Sequence, residues 1–237
     1  MAHYLFQTGI LTSLMQGVYQ GDMDFAALMK QGDFGLGTPD NVNGEIIALD
    51  GIYYCVDGKQ QTCRVAPHTK TPFSVVTHFT PSLHFTAENI SSIQQLEQLL
   101  DNHLENKNIF YAIRIDAEFS DIHLRSEKCH PTLHTPLSQA MPMIQKTFKL
   151  KQIAGTLVII YTPPYAAAIN VPGYHTHFIN TEKTTGGHVF KLALKTGCIA
   201  IQPLYHLHVS LINNAAFARA DLTSDVRAAA KAVEQDR

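Results

Sequence analysis

The chain has 237 residues, of which 45% are apolar and 16% charged, and its formal net charge is -2. This balance excludes an intrinsically disordered chain, and the lack of a lysine or arginine run excludes a basic surface for nucleic acid or anionic membranes. We therefore expect one large domain or two small ones, with a small molecule as the partner.

The cysteines and the N-terminal segment indicate the compartment. Four cysteines are scattered without a C-x-x-C pair, which favours reduced thiols in a cytosol over a disulfide framework. The opening stretch MAHYLFQTGILTSLMQGVYQGD lacks the basic and long apolar regions of a signal peptide, and no segment approaches ~20 apolar residues. The sequence predicts a soluble, cytoplasmic protein.

The first part of the chain combines short helices with strands. LTSLMQGVY and DFAALMKQ predict two helices within residues 10–31, with Asp24 capping the second and Gly32 ending it. The glycine-rich GDFGLGT is interpreted as an irregular, tightly packed loop, and it lacks the spacing of a phosphate-binding loop. From Gly44, GEIIALDGIYYCVDGKQQTCRV predicts three strands joined by two D-G turns.

The middle of the chain alternates strand, helix and strand. SVVTHFT and HFTAE are extended segments, and ENISSIQQLEQLLDNHL predicts a helix because its apolar residues share one face. IFYAIRIDAEFSDIHLRS returns to strand alternation, with Ile113, Ile115, Ala117 and Phe119 on one side. Residues 126–151, rich in Pro, His, Ser and Lys, are the best candidate for a connection between lobes.

The last part of the chain predicts more strands and a terminal helix. AGTLVIIYTPP, VFKLALKTG and CIAIQPLYHLHVSLI are strand-like, and TSDVRAAAKAVEQDR predicts the helix. Few helices and many strands joined by D-G and G-G turns predict an α+β fold with mostly antiparallel sheets. We expect two lobes, residues 1–145 with Glu45 and Arg125, and residues 146–237 with the metal-binding sheet and the terminal helix.

Three histidines fall within GYHTHFINTEKTTGGH, residues 173–188. His175 and His177 are two residues apart and share one face of a strand. A hairpin centred between Glu182 and Lys183 places His188 directly opposite His177, so the three imidazoles converge. This donor set is typical of a three-histidine catalytic zinc site, although nitrogen ligands also suit iron, nickel or copper.

The other histidines give weaker patterns. His206 and His208 in HLH have the same-face spacing but no third histidine nearby, so we interpret them as strand residues. His123, His130 and His134 have no ligand-like spacing. The metal prediction therefore depends on the hairpin alone.

A metal ion held by three neutral histidines keeps its full positive charge, which makes it a strong Lewis acid for a carbonyl or hydroxyl oxygen. Such an ion serves hydrolysis, or it stabilises the enolate that follows cleavage of a carbon–carbon bond. Spacing alone does not choose between these reactions.

Over nearly its whole length the chain resembles the α-acetolactate decarboxylases. The resemblance is carried, in the family's order, by GVYQGDMDFAALMKQGDFGLGT, NGEIIALDG, PFSVVTHF, YAIRIDAEF, GTLVIIYTP, INVPGYHTHFI and GGHVF. NVPGYHTHFI followed by GGHV is its most specific part. The resemblance implies that His175, His177 and His188 bind zinc, and that the protein is a homodimer joined through its N-terminal lobe.

The resemblance also implies three catalytic residues, Glu45, Arg125 and Glu234, of which Glu234 lies in the terminal helix and folds back toward the zinc. Thr38, in GLGT, is a candidate substrate-binding hydroxyl. After the arginine, the basic VPRQ-like stretch of the family is replaced here by SEKCHPTLHTP. The connection between the lobes is therefore rewritten in this chain.

The reaction that the resemblance implies is decarboxylation of (S)-2-acetolactate to (R)-acetoin and CO₂, without an organic cofactor. Zinc would stabilise the enediolate left by CO₂, Arg125 would hold the leaving carboxylate or steer the returning proton, and Glu45 and Glu234 would carry protons.

Two alternatives stay open at this point. HTHFINTE fits the H-x-H-x₄-E pattern of a cupin-like metalloenzyme or dioxygenase, with Glu182 as fourth ligand, although the upstream glycine and the second cupin motif are missing. The other alternative is a catalytically silent β-rich protein that binds a small hydroxy acid.

Overall fold

The structure, a computed structural model, describes residues 4–129 and 135–234, apart from the side chains of Lys231 and Glu234. The described residues form fourteen strands: β1 (Tyr4–Thr8), β2 (Met23–Asp24), β3 (Phe34–Thr38), β4 (Glu45–Leu49), β5 (Ile52–Val56), β6 (Thr62–Arg64), β7 (Lys70–Thr71), β8 (Phe73–Thr77), β9 (Leu83–Ile90), β10 (Phe110–Glu127), β11 (Gln145–Thr162), β12 (Gly173–Asn180), β13 (Gly186–Leu204) and β14 (His206–Ser210). They also form six helices: α1 (Leu11–Met15), α2 (Phe25–Leu28), α3 (Ile93–Asp101), α4 (Leu137–Ile144), α5 (Ala215–Arg219) and α6 (Arg227–Glu234).

Two large sheets make up the fold. The first has seven strands in the order β14-β1-β8-β3-β4-β5-β6, and the second has five in the order β10-β11-β12-β13-β9. Because β10 also pairs with β13, the strands β10, β11, β12 and β13 close into a ring. Apart from the parallel pair β1 and β14, the strand pairs of the described residues are antiparallel, which confirms the predicted α+β class.

Apolar side chains hold the two sheets together face to face. Leu36 and Ile47 of the first sheet pack with Ala112, Val158 and Ile160 of the second in one buried cluster. The opposite face of β10 contributes to a separate core inside the second sheet, where Ile113, Ile115 and Phe119 pack as their alternation predicts. The packed sheets leave the start of β4 and the end of β10 side by side, and the candidate site forms there.

The glycine-rich segment is a strand, and its interpretation as an irregular loop was wrong. β3 lies inside the first sheet, between β4 and β8. A Cβ atom at Gly35 would lie only 2.1 Å from the carbonyl oxygen of Val75, so glycine is needed because β8 approaches so closely. Sequence patterns that rely on alternating side chains do not detect a strand in which glycines occupy the alternate positions.

The predicted helices and hairpins are largely confirmed. Asp24 caps α2 by accepting a hydrogen bond of 2.8 Å from the backbone N–H of Ala27, although the helix ends at Leu28, before Gly32. Ser92 caps α3 in the same way, and Leu96 and Leu100 bury its apolar face. β4, β5 and β6 form the predicted meander.

Residues 126–151 were expected to connect two lobes. In the described part of this segment, β10 ends, α4 follows and β11 begins, and β11 pairs with β10 along most of its length. The second sheet therefore contains strands from both sides of residue 145, while the division into two lobes stays a prediction. His130 and His134 lie outside the described residues.

None of the helices in the described part of the chain has the length and apolar character needed to cross a membrane. The four cysteines, all of which are described, form no disulfide.

Candidate metal centre

The hairpin of β12 and β13 has the predicted register, with His177 directly opposite His188. The side chain of Asn180 fixes the turn, because its Oδ1 accepts hydrogen bonds from the backbone N–H groups of Thr184 and Thr185. Lys183 adopts a φ of 59° at the tip, a left-handed conformation that the tight turn requires. The sequence prediction for this hairpin is confirmed.

The three imidazoles converge as the hairpin prediction requires. His175, His177 and His188 are all buried, and each offers a ring nitrogen within 4.8 Å of the others. Their ring centroids are 4.9 to 5.5 Å apart. Nitrogen donors this close can share one ion, whose Zn–N bonds are ~2.0–2.1 Å long.

A hydrogen bond sets the tautomer of His177. Its Nδ1 lies 2.8 Å from the carbonyl oxygen of Ile46, which can only accept, so Nδ1 carries the proton. The lone pair is then on Nε2, which faces the other two histidines and lies 3.3 Å from Oε2 of Glu45. A carbonyl that orients the far nitrogen of a ligating imidazole is a usual feature of histidine metal sites.

Burial keeps His175 and His177 neutral. Burial and the nearby Arg125 charge lower the pKa of His175 to about 3. Burial, with His175 and Arg125 as smaller causes, also holds the pKa of His177 well below its ordinary value. A neutral imidazole is the form that binds a metal ion, so these donors need no deprotonation at physiological pH.

These observations together fit a metal ion with nitrogen ligands. The three donors are buried and convergent, two of them are held neutral by burial, and one is oriented by a backbone carbonyl. Zinc suits such a set, and so do other transition metals that favour imidazole.

Glu45 and Arg125 lie next to the three histidines, although they come from distant parts of the chain. Glu45 begins β4 and is 5% exposed, with Oε1 at 3.6 Å from Nε of Arg125. Arg125 pairs with His188 across β10 and β13 and is only 3% exposed, so it is not a solvated surface charge. Its guanidinium lies over the ring of Phe190, 5.1 Å from the centroid, and donates from Nη1 to the carbonyl of Val233.

A cavity opens beside these groups. Its polar lining residues are Thr38, Glu45, Arg125, Glu127 and His175. The rest of the wall is apolar and is lined by Leu11, Leu14, Gly37, Val42, Phe73, Leu137, Met141, Val171 and Val233. A small molecule with both polar and methyl groups fits such a lining.

Thr38 lines this cavity but uses its hydroxyl within the protein. Its Oγ1 donates to the carbonyl of Gly44 over 2.9 Å, at the turn just before Glu45. In this conformation Thr38 supports the turn that presents Glu45, and its predicted role in binding substrate stays a prediction.

The terminal helix α6 covers one side of the cavity. Val226, Ala230 and Val233 are buried in a cluster with Leu137 and Met141 of α4. The helix was predicted from the sequence and is present. The side chain of Glu234 lies outside the described residues, so its predicted position near the metal stays a prediction.

Glu127 is a further residue of the site, and it was not among the residues predicted from the sequence. This glutamate is 1% exposed, lines the cavity, and lies with Oε1 at 2.7 Å from Nε of Arg125. Its signal was the strand alternation of IFYAIRIDAEFSDIHLRSE, because residues two apart share one face and Arg125 was already a candidate.

The remaining candidates lie away from the site. His208 stacks on the ring of Tyr4 at a centroid distance of 4.6 Å, and His206 is exposed on β14, as expected for strand residues. His123 contacts Asp121, with Nε2 at 2.8 Å from Oδ1. Glu182, the fourth ligand of a cupin-like site, is at the hairpin turn, where it accepts a hydrogen bond from Asn180.

Proteins with similar sequences are named α-acetolactate decarboxylases. The sequence model for α-acetolactate decarboxylases matches residues 5–224. The α-acetolactate decarboxylase of Brevibacillus brevis is 36% identical over 233 residues, which are 98% of this chain and 81% of that protein. The corresponding protein of Bacillus subtilis strain 168 is 34% identical over 218 residues, 92% of this chain and 85% of that one.

Solved structures of the same fold are also similar in sequence. The crystal structure of α-acetolactate decarboxylase from Bacillus subtilis strain 168 superposes with a TM-score of 0.95 at 32% identity, covering 98% of this chain and 100% of that one. A Staphylococcus aureus protein of unknown function, similar to α-acetolactate decarboxylase, gives a TM-score of 0.90 at 26% identity over 97% of this chain and 98% of that one. The chain is therefore a member of the α-acetolactate decarboxylase family and, with it, a carboxy-lyase.

Proposed function

We propose that this protein decarboxylates (S)-2-acetolactate to (R)-acetoin and CO₂, and that it uses one zinc ion held by His175, His177 and His188. The observation that carries the proposal is the convergence of three buried imidazoles, of which that of His175 lines the cavity, beside Glu45 and Arg125. When bound, the ion supplies a Lewis acid next to the substrate oxygens.

Arg125 binds the substrate carboxylate and holds it for cleavage. Its guanidinium is buried, fixed by the Val233 carbonyl, and packed on Phe190, so its direction is set before substrate arrives. A buried guanidinium pairs with a carboxylate through charge-assisted hydrogen bonds. As the bond from the carboxylate carbon to the hydroxyl-bearing carbon breaks, its electron pair stays on the substrate and CO₂ leaves.

Glu45 carries the proton that completes the reaction. Decarboxylation of a carboxylate consumes one proton, which must reach the carbon that lost CO₂. The carboxylate of Glu45 lies between Arg125 and His177, at the edge of the same cavity, so it can deliver a proton to that carbon from one side. Delivery from one side accounts for a single enantiomer of the product. Glu234 is a second proton carrier in this proposal, on the resemblance alone.

The apolar wall of the cavity holds the methyl groups of the substrate. Leu14, Val42 and Val171 are among the residues that line it, and they exclude water from the electron-rich species formed when CO₂ leaves. Exclusion of water leaves the placed carboxylates as the proton source, which supports a stereospecific product.

An acetoin assay tests the proposal. Protein loaded with zinc should release CO₂ and (R)-acetoin from racemic acetolactate and consume the (S) form. Treatment with a chelator should abolish this activity, and added zinc should restore it. Activity that survives complete metal removal contradicts the metal requirement.

The same assay separates the alternatives. Bound iron with O₂ consumption and no acetoin indicates a cupin-like dioxygenase. Binding of acetolactate without CO₂ release indicates a silent binding protein. A homodimer and a cytoplasmic location are further parts of the proposal, and light scattering of the purified protein tests the first of them.

A further inference from the structure

We propose that Glu127 is a positioning residue of this site, which holds the Arg125 guanidinium in place and thereby keeps Glu45 available for proton transfer. The inference rests on the proposed function, because it concerns how Arg125 and Glu45 act in that reaction. Glu127 falls in SEKCHPTLHTP, the stretch where this chain departs from the family pattern.

The backbone fixes Glu127 and Arg125 on the same face of β10. They are two residues apart, and both pair with β11, Arg125 with Thr147 and Glu127 with Gln145. Ser126, between them, points the other way and donates from its hydroxyl to the carbonyl of Val56 over 2.6 Å. The strand end is therefore held on both faces, and both charged side chains line the cavity.

The two carboxylates stand at different distances from one nitrogen. Oε1 of Glu127 is 2.7 Å from Nε of Arg125, whereas Oε1 of Glu45 is 3.6 Å from the same atom. At the shorter distance the two opposite charges are in direct contact as an ion pair, and at the longer distance their attraction is weaker. Glu127 therefore takes the contact that Glu45 would otherwise make.

This arrangement leaves Glu45 directed toward the metal ligands. Its other oxygen, Oε2, lies 3.3 Å from Nε2 of His177. If Glu127 were absent, Glu45 could close the gap of 3.6 Å and form the short ion pair with Arg125. Both the guanidinium and the proton carrier would then leave the positions that the reaction needs, and displacements near 1 Å cost up to ~10²-fold in rate.

A simpler role for Glu127 is to balance the buried charge of Arg125. Burial of an unpaired guanidinium is very unfavourable, so some carboxylate must lie near it. Charge balance requires only a negative charge near the guanidinium, while positioning requires the carboxylate in direct contact with Nε. The two roles therefore predict different effects on kcat when the side chain of Glu127 is shortened to that of aspartate.

Three variants of the zinc-loaded, full-length protein test the inference. Glu127→Gln removes the charge, Glu127→Asp keeps the charge but withdraws the carboxylate by one methylene, and Glu118→Gln changes an exposed glutamate of the same strand as the control. We expect kcat to fall roughly 10- to 100-fold in Glu127→Gln and at least severalfold in Glu127→Asp, with zinc content unchanged and KM altered less. Glu118→Gln should match the wild type.

A double-mutant cycle shows whether Glu127 acts through Arg125. In the Arg125→Lys background, Glu127→Gln should lower kcat by less than threefold, since the group that it positions is already gone. An equal fold-change in both backgrounds overturns the inference. So does a Glu127→Asp variant with wild-type kcat, which leaves charge balance as the role.

A spectroscopic readout is independent of turnover. The Nε–H resonance of Arg125, assigned by its loss in Arg125→Lys, should shift in both Glu127 variants and stay in place in Glu118→Gln. If the wild type releases no acetoin, the proposed function fails while this resonance still tests the contact. If neither Glu127 variant folds, Glu127 is a structural residue and the inference is overturned.

Discussion

At the scale of single residues, some members of the site could be predicted from local sequence spacing, and others could not. The histidine triad could be predicted from the sequence, because a strand period of two and a turn centre fix where His188 falls relative to His177. Glu45 and Arg125 could be assigned only by resemblance, since nothing in their local sequence shows that β4 and β10 meet. Strand alternation places Glu127 on the face of Arg125, but only the burial of Arg125 shows that this face belongs to the site.

Removal of any one of His175, His177 or His188 should strip most of the metal. Each alanine substitution leaves two neutral ligands, where the proposed chelate needs three. Metal content after dialysis measures the effect, and His123→Ala is the control because His123 lies on the same sheet and contacts Asp121. A variant that retains a full equivalent of zinc would show that the substituted histidine is not a metal ligand.

Arg125→Lys should separate metal binding from chemistry. Lysine keeps the charge but loses the planar group of donors that contacts Glu127 and Val233. We expect zinc and fold to be retained, kcat to fall by roughly 10²–10⁴-fold, and KM to change less. Steady-state kinetics with a zinc assay measures this, and unchanged kcat would show that Arg125 has no part in the reaction.

At the scale of elements, the sequence predicted those whose side chains follow a clear period. α3, the meander of β4 to β6 and the β12–β13 hairpin belong to this group, and the structure has all of them. β3 was mistaken for a loop because its glycines are required by the close backbone of β8, a tertiary contact that local sequence does not contain. Contacts between distant segments of this kind also determine which elements form the wall of the cavity.

The β12–β13 hairpin should not tolerate a change in length. Deletion of Lys183 moves the register by one residue and turns His188 to the opposite face of β13, so zinc binding should be lost as completely as in His188→Ala. Lys183→Gly is the matched control, because it keeps the length and suits the left-handed φ of 59° at this position. Zinc content and circular dichroism of both variants measure the outcome, and a deletion variant with full zinc would refute the register argument.

At the scale of the whole molecule, the cavity is assembled from segments far apart in the chain. Its wall includes Leu11 and Leu14 of α1, Met141 of α4 and Val233 of α6, while its polar residues come from β3, β4, β10 and β12. No local pattern predicts such an assembly, since it depends on how the helices pack across the end of the sheets. The proposed metal ligands, in contrast, all come from one hairpin, and the hairpin is fixed by its own turn and by β11.

This difference predicts that metal binding and catalysis depend on different parts of the molecule. A chain that ends at Asp225 lacks α6, and with it the buried Val226, Ala230 and Val233, as well as the carbonyl that accepts from Arg125. The hairpin and the Ile46 carbonyl are untouched. We therefore expect the shortened protein to bind zinc but to lose at least about tenfold in kcat, because water enters the cavity and the guanidinium loses a fixed contact.

Two further proteins make this comparison specific. A chain that ends at Glu234 keeps α6 and should behave as the full chain does, while Glu234→Gln in the full chain measures the loss of that carboxylate alone. If the chain ending at Asp225 loses no more activity than Glu234→Gln, the helix serves only to carry Glu234. If it loses zinc as well, the metal site depends on α6, and the separation of binding from catalysis is refuted. We expect a larger loss of kcat than Glu234→Gln causes, with zinc retained, because the helix both closes the cavity and fixes Arg125.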